Sequence, residues 1–366
     1  MNIVYVYFTI FILAFFSVYS ITPLIIKFAY KLNFLDNPNA RKVHKKVTPL
    51  MGGVAIFIGF FSFTVYVILT TKHSFSLPAV GYLLGAAIIV LVGIIDDRYG
   101  MHPIIKLIGQ ALSCGVFIYS NNLFNILGPA YFTVPILFLW MVGLMNALNF
   151  LDNMDGIITG MSGILALGFY AVSFISKAPG MASLSMFVSL SSLTFAGSVF
   201  GFLPYNFNPA KIFLGDAGSM FIGYFLSSTG ILVGTLAVTS MNSKLYYLLP
   251  VLLLSFAIFD ISLVSFTRKR DGRRISQGGK DHSTHRIGTA MGSTKVTALI
   301  IYLINIIIVL LTILVFKMES VKLLILSTVI FAVIFLFFAK KLDQIPIIIP
   351  DNQLKNNGTN QNGNSS

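Results

Sequence analysis

The sequence predicts an all-α integral membrane protein, a bundle of about eleven transmembrane helices with an active site at its cytoplasmic face. The first observation behind this prediction is composition: 56% of the 366 residues are hydrophobic and only 10% are charged, against about 25% charged residues in soluble domains. The second is that the apolar residues form runs of about 20, the length that crosses a bilayer. The third is the uneven distribution of charge among the loops between these runs.

The apolar runs define the elements in order. The first run has no basic stretch before it and no small-residue cleavage site, so we interpret it as a transmembrane helix and not as a signal peptide. The predicted spans are 3–25, 51–71, 76–95, 104–121, 131–149, 157–176, 180–202, 219–240, 245–266, 296–316 and 321–339. They form one polytopic domain, residues 1–341. The polar, Asn-rich remainder, 342–366, is predicted to be a disordered cytoplasmic tail.

Basic residues lie almost entirely on one side of this predicted bundle. Eleven spans place alternate loops on opposite sides, and one set of loops carries all of the 25 basic residues except Lys72, Lys177, Lys244, Lys317 and Lys322. The positive-inside rule makes that set cytoplasmic. The net charge of +13 is therefore attributed to loops beside anionic membrane lipid, and nucleic-acid binding is not favoured. The single cysteine, Cys114, excludes an intramolecular disulfide framework.

The same side carries every acidic residue except Glu319, which the positive-inside rule does not require. Most of the notable carboxylates and histidines fall in four short polar stretches. These are GIIDDRYG with Asp96 and Asp97, NALNFLDNMDGI with Asn149, Asp152 and Asp155, FLGDAGSMFIG with Asp216, and RRISQGGKDHSTHRIG with His282 and His285.

Each stretch also has a purely structural interpretation. The aspartate pair at 96–97 is compatible with a solvated helix end, and Asp152 and Asp155 with N-caps of the sixth helix. The GDAGS turn suits a helix cap or a backbone nest for an anion, and the two histidines suit loop packing. Capping needs one carboxylate per helix, however, and doublets occur twice. Several carboxylates at one face suit Mg²⁺, which in proteins usually handles phosphate.

Together these stretches resemble the polyprenyl-phosphate N-acetylhexosamine-1-phosphate transferases over roughly residues 36–290, including NPNARKVHKKVTPLMGG as the first cytoplasmic loop. The resemblance implies a multi-pass enzyme of the bacterial plasma membrane, commonly a homodimer, that requires Mg²⁺, with Mn²⁺ a candidate substitute. It implies transfer of a sugar 1-phosphate from a UDP-N-acetylhexosamine to undecaprenyl phosphate, with release of UMP. The product would initiate a cell-envelope glycan such as O-antigen, capsule or teichoic acid.

The histidine loop departs from the family pattern. WecA- and TagO-like members carry His-x-His-His, and MraY-type phospho-MurNAc-pentapeptide transferases carry a run of histidines, whereas this chain has DHSTHRI with Thr284 before the second histidine. The departure favours the WecA-like branch over the MraY type. It leaves the sugar open, as N-acetylglucosamine or a related amino sugar.

The resemblance also implies roles for individual residues. Asp96, Asp97 and Asp216 are expected to be catalytic, the aspartate pair where the lipid phosphate arrives, and Asp216 and Asp152 are expected to bind the metal. Expected substrate contacts are Asn149, Asp152, Asp155, His282, His285, Arg286, Lys106 and Lys46.

Two further questions stay open from the sequence. Asp260, about two turns before Arg268, is either a structural ion-pair member or a functional residue. A transporter of an anionic solute is the competing class of protein, but transporters bind substrate near the bilayer midplane, often between inverted repeats. Here the ionisable residues lie at helix ends on one side.

Overall fold

The structure, a computed structural model, describes residues 3–36, 47–70, 76–274 and 279–347. These residues form helices joined by short turns, plus one pair of two-residue antiparallel strands, β1 (Leu35–Asp36) and β2 (Thr48–Pro49). The helices are α1 (Ile3–Lys31), α2 (Gly52–Thr70), α3 (Leu77–Tyr99), α4 (Pro103–Ser120), α5 (Ala130–Leu151), α6 (Ile157–Ile175), α7 (Ala182–Asn206), α8 (Gly215–Met241), α9 (Leu248–Leu253), α10 (Ser255–Arg270), α11 (Ser283–Met291), α12 (Thr294–Lys317) and α13 (Val321–Asp343).

The predicted fold class is confirmed. Among the described residues, 9 helices are long and apolar enough to cross a membrane, and the total reaches 10 when the bent pair around α9 and α10 counts as one span. The apolar stretch Gly52–Tyr66 of α2 is shorter, so the total of about eleven spans stays a prediction. The last helix runs to Asp343, slightly past the predicted domain end. Residues 348–366 of the predicted tail, and Lys46, lie outside the described residues.

The predicted ninth span, 245–266, is wrong as a single helix. A 3-10 turn, Lys244–Tyr247, leads into α9, and α10 then departs at 72° from that first segment. The break lies at Leu254, which is neither a proline nor a glycine. The run is apolar throughout, so neither its hydropathy nor the residue at the break predicts the bend.

Helix α8 is the centre of the bundle and α13 lies at its edge. The most apolar stretch of α8 is 89% buried inside the protein, against 6% for that of α13. Helix α8 packs against α2, α3, α5, α6 and α7. The residues at the start of α8 are therefore surrounded by the ends of several other helices.

Two glycines allow α2 and α3 to approach the first turn of α8. A Cβ atom at Gly53 would lie 2.1 Å from the backbone nitrogen of Gly218, and one at Gly93 would lie 2.2 Å from the Cα of Ala217. Small residues are what permits such close backbone contact between membrane helices. The N–H groups of Gly52 and Gly53 also donate to the carbonyls of Phe213 and Leu214, each at 2.9 Å. These contacts fix the start of α8 against α2 and α3.

Candidate functional site

The last turn of α3 meets the first turn of α8 through Asp97. Its carboxylate accepts hydrogen bonds from the backbone N–H groups of Asp216 at 2.7 Å and Ala217 at 3.2 Å. Gly215 has a φ of +71°, and a Cβ atom there would lie 2.5 Å from Asp97 Oδ2. The GDAGS turn therefore does present backbone N–H groups to an anion, as one sequence interpretation held, and that anion is the side chain of Asp97.

Lys106, near the start of α4, joins the two other aspartates of this region. Its ammonium nitrogen lies 2.8 Å from Asp96 Oδ2 and 2.9 Å from Asp216 Oδ2. The second oxygen of Asp96 accepts a hydrogen bond from the backbone N–H of Met101 at 2.6 Å. One cation thus bridges carboxylates from α3 and α8 that are far apart in sequence.

Asn149, near the end of α5, completes this group. Its side-chain amide donates to Asp216 Oδ1 at 2.6 Å and to Ser219 Oγ at 2.8 Å. Asp216 is therefore held from two sides, by Lys106 and by Asn149. We call the group the acidic cluster, and it consists of Asp96, Asp97, Lys106, Asn149 and Asp216. Four separate helices contribute to it.

Asp152 immediately follows α5 and is half-buried. Its carboxylate accepts no hydrogen bond from any residue that the structure describes. Burial raises its pKa to about 8, with further contributions from the negative charges of Asp216, Asp97 and Asp155. A carboxylate of this kind, close to other carboxylates and without a donor, is suited to a divalent cation.

Asp155 and its neighbours connect this region to other loops. Asp155 Oδ2 accepts hydrogen bonds from the side chain of Asn208 at 2.9 Å and the backbone N–H of Ala210 at 3.0 Å. The N-cap of α6 is Gly156, with a φ of +76°. The interpretation of Asp152 and Asp155 as caps of the sixth helix is therefore wrong, and Asp155 instead anchors the loop that leads to α8.

The loop between α5 and α6 is tied to α11 by a hydrogen-bonded pair that the sequence did not predict. Thr284 Oγ1 donates to Asn153 Oδ1 at 2.7 Å. Thr284 is the residue at which the histidine loop departs from the family pattern, and Asn153 adjoins Asp152. Helix α11 is therefore attached to the loop that carries Asp152 and Asp155. The polar residue between Asp152 and Asp155 was the only signal in the sequence.

His282 and His285 have different surroundings on α11. His282, the residue before the helix, is buried, and its Nδ1 lies 2.7 Å from Asp260 Oδ2. His285 is half-buried and lines a cleft of about 370 Å³ together with Met154, Lys280 and Gly288. Burial lowers the pKa of His285 to about 4, helped by the positive charges of His282 and Lys280. The His285 ring is therefore neutral at pH 7.

Arg286, an expected substrate contact, has bonds within the protein. Its side chain is 2% exposed, and it donates to the backbone carbonyls of Asp281 and Leu342, both at 2.9 Å. The guanidinium thereby fastens α11 to the end of α13. Although Arg286 also contributes to the wall of the cleft beside His285, these bonds commit it mainly to holding the two helices together.

Asp260 pairs with His282 across α10 and α11, and Arg268, two turns further along α10, pairs elsewhere. Arg268 forms a buried two-point contact with Asp281, with Nε–Oδ2 at 2.9 Å and Nη2–Oδ1 at 2.7 Å, and Arg273 adds a contact at 2.8 Å. Burial alone would raise the pKa of Asp281, but these arginines hold it at about 2.

The chain is similar to a known protein family and to several bacterial proteins. The family model described as glycosyl transferase family 4 matches residues 79–235, which include the whole acidic cluster. A probable undecaprenyl-phosphate N-acetylglucosaminyl 1-phosphate transferase of Bacillus subtilis is 34% identical over 308 residues, 81% of each chain. A decaprenyl-phosphate N-acetylglucosaminephosphotransferase of Mycobacterium tuberculosis is 30% identical over 75% of this chain and 74% of its own. A phospho-N-acetylmuramoyl-pentapeptide-transferase of Prochlorococcus marinus is 30% identical over 73% and 78%.

Proposed function

The chain belongs to glycosyl transferase family 4, and from that premise we propose that it transfers a sugar 1-phosphate from a UDP-N-acetylhexosamine to a polyprenyl phosphate such as undecaprenyl phosphate. The oxygen of the lipid phosphate forms a bond to the phosphorus that carries the sugar, and the bond to the departing UMP breaks. The observation that carries the proposal is the acidic cluster, where four helices bring carboxylates, an ammonium group and an amide to one point.

The residues of the acidic cluster have separate tasks in this reaction. Lys106 and Asn149 hold Asp216 in one orientation, and Asp97 fixes the backbone turn on which Asp216 stands. A phosphate monoester is largely ionised near pH 7, so the lipid phosphate attacks directly and needs no base. Catalysis then consists mainly of positioning and of neutralising charge.

We propose Mg²⁺ as the cofactor, held by Asp216 and Asp152. The residues fit this ion, because Mg²⁺ prefers oxygen ligands and takes one or two carboxylates, filling the rest of its shell with water and substrate phosphates. Within the described part of the chain, no group of three or more His, Cys, Asp or Glu side chains is arranged to hold a metal. When bound, Mg²⁺ supplies positive charge to the diphosphate and to the leaving UMP.

The location of the reaction follows from charge. The acidic cluster lies at the end of the bundle that carries most of the basic residues, and such residues favour the cytoplasmic side. We therefore propose that the cluster faces the cytoplasm, where UDP-sugars are made. We also propose a homodimer, as the family resemblance implies, which light scattering in detergent would test.

The test is an exchange assay on the purified protein in detergent. Radiolabelled UMP is incubated with a panel of UDP-sugars, undecaprenyl phosphate and Mg²⁺, with Asp216→Asn as the inactive control. We expect label to enter one or two UDP-N-acetylhexosamines in the wild type only. Absence of exchange with every donor would contradict the proposal. Uptake of the donor into sealed vesicles without exchange would instead identify a transporter.

A further inference from the structure

Asp260 is a buried carboxylate that none of the roles above uses. It lies on α10, six residues after the bend at Leu254, and it is 1% exposed. A buried carboxylate is costly unless other groups satisfy it, and its loss of a partner is strongly destabilising. The groups around Asp260 therefore indicate the role of its buried carboxylate.

Three hydrogen bonds satisfy this carboxylate, and all involve His282 and Ser283 at the start of α11. Oδ1 accepts from the backbone N–H of Ser283 at 2.8 Å and from its hydroxyl at 2.6 Å. Oδ2 lies 2.7 Å from Nδ1 of His282. Both side chains are buried, His282 at 3% and Ser283 at 0% exposure. The geometry therefore locks the His282 ring in one orientation.

Capping of α11 accounts for only half of this arrangement. A carboxylate near a helix N-terminus is favourable, and the contact with the Ser283 N–H supplies that effect through a single oxygen. The other oxygen is used for an imidazole ring. The arginines at the end of the same helix pair elsewhere, Arg268 with Asp281 and Arg270 with Asp343, so Asp260 is reserved for His282.

The contact with Asp260 uses one of the two ring nitrogens of His282 and leaves the other. With Nδ1 engaged by Asp260, Nε2 is the ring atom left for a ligand, and the partner of one histidine nitrogen determines what the other does. The ring lies beside His285, with ring centroids 6.5 Å apart, and Thr284, two residues on, is hydrogen-bonded to Asn153 in the loop that carries Asp152. Among the described residues, no member of the acidic cluster contacts Asp260.

We propose that Asp260 is a positioning residue of the transfer reaction, which orients His282 so that Nε2 meets the diphosphate or sugar of the UDP-sugar donor. The inference rests on the proposed function and adds to it a residue that touches no substrate.

The experiment compares Asp260→Asn, His282→Ala and the double variant with the wild type, using the purified full chain in detergent. Asparagine keeps the size and one acceptor of Asp260 and removes its charge. We measure kcat, the KM values for the UDP-sugar and for undecaprenyl phosphate, and the melting temperature. Asp271→Asn is the matched control, because it removes a carboxylate at the end of the same helix that pairs with Arg270 and Arg273 and not with a histidine.

The expected result is selective for the donor. In Asp260→Asn, kcat/KM for the UDP-sugar falls by about 10-fold or more, the loss typical of removing the group that orients a functional histidine, while the KM for the lipid stays within about 2-fold of the wild type. The double variant is no worse than His282→Ala alone, because both changes remove the same oriented ring. Asp271→Asn keeps kinetic constants close to those of the wild type.

Other outcomes overturn the inference. Multiplying effects in the double variant would show that Asp260 acts independently of His282, and losses that track the melting temperature or affect both substrates equally would show a merely structural residue. Unchanged kinetics in Asp260→Asn with an active wild type would contradict this inference alone. A wild type that is inactive with every UDP-sugar would overturn the proposed function, and this inference with it.

Discussion

The acidic cluster and the α10–α11 junction use the same residue types at the same end of the bundle in opposite ways. In the acidic cluster, Asp216 keeps a side chain that is 34% exposed, and one lysine serves two carboxylates. At the α10–α11 junction, Asp281 is 2% exposed and contacts two arginines, and Asp260 accepts three hydrogen bonds. The acidic cluster therefore keeps a partly exposed carboxylate that can bind a ligand. At the α10–α11 junction, Asp260 and Asp281 are already bonded to buried protein groups.

Under the proposed function, this contrast separates residues that act on the substrates from residues that hold other residues in place. A carboxylate that is exposed and shares its cation has affinity left for substrate or metal. A carboxylate that is buried and fully bonded contributes to stability and to orientation, and its removal leaves partners without compensation. The same Asp→Asn substitution is therefore expected to act on turnover at Asp216, on unfolding at Asp281, and on the kinetics of the UDP-sugar donor at Asp260, which orients His282.

The largest effect is expected for Asp216→Asn. We predict that turnover falls by about 10³-fold or more, as when a preorganised electrostatic group at a reaction centre is removed. The melting temperature stays nearly unchanged, because Asp216 is 34% exposed and Lys106 keeps Asp96 as its partner. Initial rates across a Mg²⁺ titration measure the turnover. Near-wild-type rates would remove Asp216 from the site.

Asp97→Asn tests whether the link between α3 and α8 matters for chemistry. We predict a loss of turnover of at least about 10²-fold, because losing the charge that holds the N–H groups of Asp216 and Ala217 displaces Asp216, together with a cost of about 1 kcal/mol in stability as for other helix caps. Rates and unfolding curves of Asp96→Asn and Asp97→Asn are compared. If both variants keep full turnover, the pair only holds α3 against α4 and α8 and takes no part in the reaction.

Asp281→Asn is expected to act on stability. We predict a decrease of about 3–5 kcal/mol in the free energy of unfolding, because the buried guanidinium of Arg268 loses its two-point carboxylate partner. Urea or thermal unfolding in detergent measures it, and Asp271→Asn, which removes a more exposed ion pair, should change stability by less than about 1 kcal/mol. Equal stability of the two variants would contradict the division of roles.

The smallest effect concerns His285 and pH. Its pKa of about 4 lies below the ordinary value near 6.5, so its contribution to stability is present above pH 6.5 and lost as the pH falls toward 4. We predict that the wild type is less stable at pH 5 than at pH 7 by on the order of 1–2 kcal/mol from this group. His285→Gln should flatten that difference in melting temperature, and parallel pH profiles would argue against a buried neutral ring.

The fold class and the acidic cluster were predictable because their signals are local. Runs of apolar residues report membrane helices directly, and the aspartates of α3 and α8 lie in distinctive polar stretches. The partners of Asp260 and Arg286 were not predictable, because they depend on how α10, α11 and α13 pack. The bend at Leu254 was missed for a similar reason, since neither a proline nor a glycine marks it.

The close approach of α2 and α3 to α8 has a consequence for reading mutational scans of this chain. Gly53 and Gly93 touch no proposed substrate, yet a single added methyl group at either would displace the turn that carries Asp216. Both positions would therefore be as intolerant as the proposed reacting residues, while exposed apolar neighbours such as Leu91 and Ile95 tolerate exchange. Intolerance at these two glycines would report the distance between helix backbones and not chemistry.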